Sequence, residues 1–384
     1  MQANLMSWRA DAGWRPESTL PAVGQLVFYF GSRSALESGE RYAEIRAMFP
    51  QAHLVGCSTG GQILGDDVID DEIAAVVLNF DRTRLKVAWR GIAGPEDSHA
   101  CGVALGEALR GDDLAGIFIL SDGLNVNGSA LVGGLASAVG PYVPLTGGLA
   151  GDGSDFSSTL VGVDNAPRPN SVGAVGFYGQ SIRIGHGYGG GWDVFGPRRR
   201  ITRSAGNVLY ELDGKPALDL YERYLGEDDS AGLPSTGLLF PLRIHDADAP
   251  DMAIVRTILA VDREKRSMTF AGDMPEGWIA QLMHGNFHRL AAGAADAARA
   301  AGLGPADLGA SGDELALLVS CIGRRLLLGQ QTLDEVEAVA SELGDGVRRI
   351  GFYSYGEISP HAASGVCQLH NQTMTITTIR EAME

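Results

Sequence analysis

Residues 172–189 read VGAVGFYGQSIRIGHGYG, two apolar and β-branched runs, 172–178 and 181–184, that meet at a turn beginning with Gly179. Two strands with no helix between them predict an antiparallel hairpin, because a parallel pair needs a crossover of a dozen or more residues. The pattern recurs. Candidate strands lie at 25–30, 53–55, 73–80, 84–89, 116–120, 159–163 and 200–203, then at 238–244, 253–261, 267–270, 315–321, 349–355 and 373–379. Helical periodicity is clear over 34–48, 100–109, 129–139, 217–225, 277–301 and 333–343. The fold class is therefore α/β, with two sheet-rich domains of mixed or antiparallel strands and flanking helices.

An internal pseudo-repeat is suggested by LVGCSTGG at 54–61 and LVSCIGRR at 318–325, each placing Leu-Val-x-Cys at a strand end. Glycine and proline density rises over 185–197, which sets the expected boundary near 205 and the domains at 20–205 and 206–384.

Composition narrows the function. With 45% apolar residues in 384 the chain can bury a full core, and no run of eighteen apolar residues predicts a membrane span. The first residues, MQANLMSWRADAGWRPEST, lack the basic and apolar order of a secretory signal. Cys57, Cys101, Cys321 and Cys367 show no C-x-x-C spacing, so reduced thiols in the cytoplasm are expected. A formal charge of −17 opposes nucleic-acid and anionic-membrane partners.

Two glycine motifs invite a catalytic reading. Gly56-Cys57-Ser58-Thr59-Gly60 matches G-x-S-x-G, but a nucleophile elbow opens a helix and here Gln62-Ile63-Leu64 runs into Gly65 and DDVIDDE. No histidine and carboxylate stand at a diagnostic spacing, and no cation adjoins Cys57. A tight turn is the better reading, with a serine or cysteine hydrolase as an alternative. Gly185 to Gly190 satisfies G-x-G-x-x-G, yet Pro197 and a resumed β pattern follow, so a dinucleotide fingerprint is not expected.

Together, GCSTGGQI at 56–63, LTGGLAGD at 145–152, NVLYELDGKPALDLYERYLG at 207–226, FPLRI at 240–244, SCIGRR at 320–325, GFYSYGEI at 351–358 and LHNQTMT at 369–375 resemble the FIST sensory family. The resemblance runs from about Gln25 to the end and implies tandem N-terminal and C-terminal FIST domains that sense a small ligand rather than catalyse a reaction. GGGWDVFGPRRRITRS and AGDMPEG look like the bacterial branch with NosP-type haem proteins, which implies nitric oxide sensing and a partner histidine kinase or cyclic-di-GMP enzyme. A haem-free sensor of an amino acid or other metabolite is the alternative within the family.

The ligand cleft is expected at the glycine-rich strand ends, with Cys57, Ser58, Gly60 and Gly61 from one and Tyr355, Glu357, His370 and Asn371 from the last. Haem asks for an axial histidine, an apolar slot and cations for its propionates. His186, flanked by Gly185 and Gly187 and followed by Tyr188 and Trp192, is the first axial and metal-ligand candidate, and His361 the second. Arg198, Arg199, Arg200 and Arg203 form the densest basic cluster, suited to a dicarboxylate or to keeping an edge strand soluble. His284 and His288 stand four apart on an expected helix, on its solvated flank. Cys321 precedes Arg324 and Arg325, which could lower its pKa, but a small buried residue is the commoner role of a free cysteine.

Overall fold

The computed structural model describes residues 1–303 and 312–382. Its mixed α/β chain is built from three similar units and one insertion. In the first unit Leu26–Gly31 runs parallel to His53–Ser58 and antiparallel to Ile73–Asn79, which pairs with Gln2–Arg9. The second repeats this with Leu114–Ser121, Leu145–Leu149, Ser171–Tyr178 and Arg84–Gly91. Glu314–Cys321, Val347–Ser354, Met374–Glu381 and Ile182–Gly189 form the third.

After its second strand each unit lends a strand to a neighbour. Gln62–Leu64 joins Val347–Ser354 of the third unit, Val161–Val163 joins His53–Ser58 of the first, and Gly356–Pro360 joins Leu145–Leu149 of the second. The exchange is cyclic, so the units surround a common axis.

The hairpin expected at 172–189 does not form. Ser171–Tyr178 lies inside the second sheet and Ile182–Gly189 at the edge of the third, so Gly179, at φ 124°, marks a handover between units. The pseudo-repeat is real but threefold. Its sequence echo is misplaced, because Cys57 is next to last in the second strand of unit one whereas Cys321 ends the first strand of unit three.

Strand alternation explains the core. One face of each sheet points to the axis, where Phe28 meets Phe118 edge-on at 5.2 Å and Phe30 meets Phe352 at 4.7 Å. The opposite faces are covered by helices: Tyr29, Leu54 and Val77 meet Ile45, while Ser98–Leu109, Gly128–Val139, Phe287–Ala301 and Thr332–Leu343 cover the other two sheets. Between Gly189 and Phe287 the third unit carries an inserted subdomain with its own core, including Leu209, Tyr221, Ile244, Met268 and Phe270. None of the helices is long and apolar enough to cross a membrane among the described residues.

The helix expected over 277–301 is a strand, Ile279–Gly285, followed by a helix, Phe287–Ala301. Asn286 separates them, its side chain accepting the Arg289 N–H as an N-cap. His284 and His288 therefore lie on different elements and are not an i, i+4 pair.

Candidate ligand site

Three of the glycine-rich turns meet at one end of the axis. Gly60 N–H donates to the Tyr353 carbonyl at 2.8 Å, Gly151 N–H to that of Ser58 at 3.0 Å, and Tyr355 N–H to that of Leu149 at 3.2 Å. Every unit gives a carbonyl to one neighbour and, two residues on, an N–H to the other, which closes a ring. Ser58, Leu149 and Tyr353 are thus equivalent positions. A Cβ at Gly60 would lie 2.5 Å from Ile322 Cδ1, so a side chain there would push the Ile322 side chain aside.

A cleft of about 530 Å³ opens beside the ring at the C-terminal ends of the strands, the usual place for a ligand in open α/β folds. Ser32 and Arg33, the turn 59–62, Asp70 and Asp71, the loop 152–155, and Ile322, Arg325 and Leu326 of the short helix Ile322–Leu328 form its walls. All three units contribute. The lining carries five carboxylates (Glu37, Asp70, Asp71, Asp152, Asp155) against two guanidinium groups (Arg33, Arg325).

Each arginine is held in place. Arg325 donates to the Gly60 carbonyl and, at 2.7 Å, to Asp70, with its guanidinium 5.1 Å from the centre of the Tyr353 ring. Arg33 donates to Ser157 Oγ at 2.8 Å and stands 3.5 Å from Asp155 and 4.0 Å from Asp152. Asp152 is buried, which works to raise its pKa, but donors from Ser158, Tyr355 and Ser157 outweigh burial and lower it. It stays an anion at the cleft's inner edge.

Of the residues proposed from sequence, Gly60 and Gly61 line the cleft directly. Cys57 and Ser58 lie beneath its floor with no exposed surface, and burial pushes the Cys57 thiol far above its ordinary pKa. Ser58 Oγ accepts the Leu160 N–H at 2.8 Å, so this serine ties the turn and does not face a substrate. Tyr355 supports the wall from behind by donating its hydroxyl to Asp152 and stacking on Phe156 at 4.6 Å. Glu357 and His370 are buried on the paired strands Gly356–Pro360 and Cys367–His370 at the edge of the second sheet, and Asn371 is buried just after them. Burial raises the thiol pKa of Cys321 as well, despite the neighbouring Arg324, so it is no thiolate. Sequence reading missed Arg33 and Asp152 as site residues; Asp152 stands in the LTGGLAGD motif and Arg33 just past a strand end, and only the cyclic exchange brings them together.

The residues collected for haem do not form a slot. Gly185 and Gly187 admit the helix Phe287–Ala301, since Cβ atoms there would sit 2.1 Å from the Ala301 carbonyl and 2.2 Å from that of Ala297. His186 points to the other face, half-buried, with its pKa lowered by burial. Tyr188 already stacks on His370 at 4.2 Å and neighbours His361 at 5.7 Å. Trp192 Nε1–H donates to the Gln372 carbonyl at 2.7 Å. In the inserted subdomain Arg199 pairs with Asp213, Arg203 with Glu211, and Arg200 donates to the Gly277 carbonyl, while Arg198 is exposed on the same strand. Among the described residues no three His, Cys, Asp or Glu side chains group as a metal site, a separate matter from the single axial ligand that haem asks for. As packed, these side chains leave no slot for a haem beside His186.

Two substitutions separate structure from ligand contact. Ser58→Ala leaves the buried Leu160 N–H without its side-chain acceptor and is expected to lower stability by about 1–3 kcal/mol while leaving the cleft's shape intact. Gly61→Val acts on the cleft itself: at φ 127° its Cβ would lie 1.6 Å from Arg325 Nη1. Backbone strain of roughly 1–3 kcal/mol and displacement of Arg325 are expected together. Thermal unfolding reads the first, and chemical shifts of the Arg325 side chain separate the two variants.

Comparison with known proteins agrees with the sequence motifs. An uncharacterized protein of Methanocaldococcus jannaschii is 26% identical over 188 residues, covering 46% of this chain and 35% of that protein; the chain thus spans well under half of that relative's length. Among solved structures, cyanuric acid hydrolase from A. caulinodans aligns over 94% of this chain and 91% of its own at 10% identity, with a TM-score of 0.31. The family model for the FIST N domain matches residues 25–215 and that for the FIST C domain matches 217–360, so the chain belongs to the FIST family of sensory, ligand-binding signal-transduction domains.

Proposed function

We propose that the cleft beside the backbone ring binds a small zwitterion bearing an amine and a carboxylate, an amino acid or a close derivative, and that the chain is the sensing component of a signalling system. The lining carries this reading. A guanidinium, Arg33 or Arg325, offers paired donors for a carboxylate. The surplus of carboxylates around them suits an ammonium group in the same cleft. Thr59 and Gln62 add neutral polar groups, and the volume exceeds what a single ion needs.

A haem-based nitric oxide sensor with a histidine kinase or cyclic-di-GMP partner is the finer reading that the NosP-like segments suggested. The packing of Gly185, Gly187 and Tyr188 leaves no slot beside His186, and the metabolite reading rests on the charged lining of the cleft. Thermal unfolding with each standard amino acid, and a parallel absorption spectrum after haemin addition, separates the two. A ligand at a hundredfold excess over its Kd stabilises the native state by about 2.7 kcal/mol. The expected result is an upward shift with a restricted set of amino acids and no strong violet absorption band. A haem band together with no amino-acid shift would replace this proposal with the haem sensor.

A further inference from the structure

The helix Ile322–Leu328 carries two adjacent arginines with different surroundings. Arg325 lines the cleft and holds Gly60 and Asp70. Arg324 is fully buried, paired with the equally buried Glu335 through Nε at 3.0 Å and Nη2 at 2.8 Å. Its remaining donors go to two carbonyls, Gly190 and, at 2.8 Å, Leu290. Those residues flank the insertion: one chain segment leaves the core at Gly190 and the other returns ahead of Leu290.

The crossing of these two stems is glycine-built. A Cβ at Gly189 would lie 1.9 Å from the Gly293 carbonyl, and one at Gly191, at φ 86°, would lie 2.0 Å from that of Arg289. Beside this crossing Trp192 and Met283 of the stems pack with Leu290 and with Leu328 of the Ile322–Leu328 helix, so the helix touches both stems through side chains as well. The opposite wall of the cleft makes a second link. Ser154 and Asp155 line both the cleft and a smaller cavity of about 200 Å³ that Phe156 shares with Leu238 and Ile258 of the insertion. Phe156 holds a φ of 47°, rare for a bulky side chain and a sign that its surroundings constrain it.

We infer that the inserted subdomain reports on the cleft: a ligand competing for Arg325 shifts the Ile322–Leu328 helix, and Arg324 passes the shift to both stems. The ligand then favours one subdomain orientation through its different affinity for the two. This rests on the proposed ligand site, but its test uses no ligand. Spin labels at Tyr142→Cys in the core and Lys215→Cys in the insertion, both exposed positions, give the distance distribution between the two bodies in the full chain. Asp70→Asn weakens the Arg325 contact from its exposed side, and Arg325→Gln removes it. Both are expected to move or broaden the distribution by about 1–2 Å or more, the scale of switching helix shifts. Distributions superimposable on wild type in Asp70→Asn and in folded Arg325→Gln would overturn the inference, whatever the amino-acid screen shows.

Discussion

Arg324→Met is expected to lower stability by about 3–5 kcal/mol, because it strands Glu335 as a buried charge without its partner. Ser320 Oγ–H, at 3.0 Å, would still donate to the carboxylate but supplies no compensating charge. The Gly190 and Leu290 carbonyls lose their donor in the same step, so the stems loosen as the core weakens. Glu335→Leu alone should be comparably damaging. The double variant Arg324→Met with Glu335→Leu should recover much of the loss, since an apolar pair of similar volume avoids both desolvated charges. Thermal midpoints of the four proteins decide it; additive losses in the double variant would mean that the pair is not the unit of stability.

The second large effect is pH dependence, to which the buried Glu357 and His370 contribute in opposite directions. Glu381 adds to the acid decline: burial works to raise its pKa, but donors from Thr83, Asp81 and Arg82 outweigh burial and lower it to about 2. Burial raises the Glu357 pKa from 4.5 to about 8, although Ser354 and Thr373 donate to its carboxylate. The folded state therefore holds a proton that the unfolded state releases, and stability falls as pH rises from 4.5 to about 8. Burial lowers the His370 pKa from 6.5 to about 3, so there the unfolded state takes the extra proton and stability falls as pH drops through that range. Each contributes roughly 1.4 kcal/mol per pH unit. Between 4.5 and 6.5 the two slopes oppose and cancel, which predicts a plateau with decline on both sides. Glu357→Gln should remove the alkaline decline and keep the acid one. An unchanged alkaline limb in that variant would show that another group controls it.

Much of the fold is legible in sequence because buried strands leave continuous apolar runs. LALLVS at 315–320 and IAAVVLN at 73–79 are strands, as their composition predicts. Pairing is not legible. Ser171–Tyr178 and Ile182–Gly189 read as a hairpin, yet every residue of the first is buried, which places it inside a sheet rather than in an exposed ribbon. The partners are strands more than fifty residues away, or nearly two hundred for Ile182 and Glu381. Local pattern carries no information at that range.

The site divides in the same way. Glycine turns mark where backbones approach closely, so Gly60 and Gly61 could be found at 56–63 without coordinates. Which side chains then face the cleft depends on the exchange of strands among units. Arg325 was visible only as a neighbour of Cys321, and Arg33 not at all. Conversely, His186, Tyr188 and the arginines at 198–203 cluster in sequence but are divided between the third sheet and the insertion.

The cleft between Arg33 and Arg325 is expected to hold a zwitterionic metabolite. Equilibrium dialysis against an equimolar mixture of the standard amino acids, with the retained fraction identified by mass spectrometry, tests it most directly. Wild type should retain one amino acid or a narrow group of them, and Arg33→Gln with Arg325→Gln, confirmed as folded by circular dichroism, should retain none. Equal retention by both proteins would place binding elsewhere, and no retention by wild type would contradict the account.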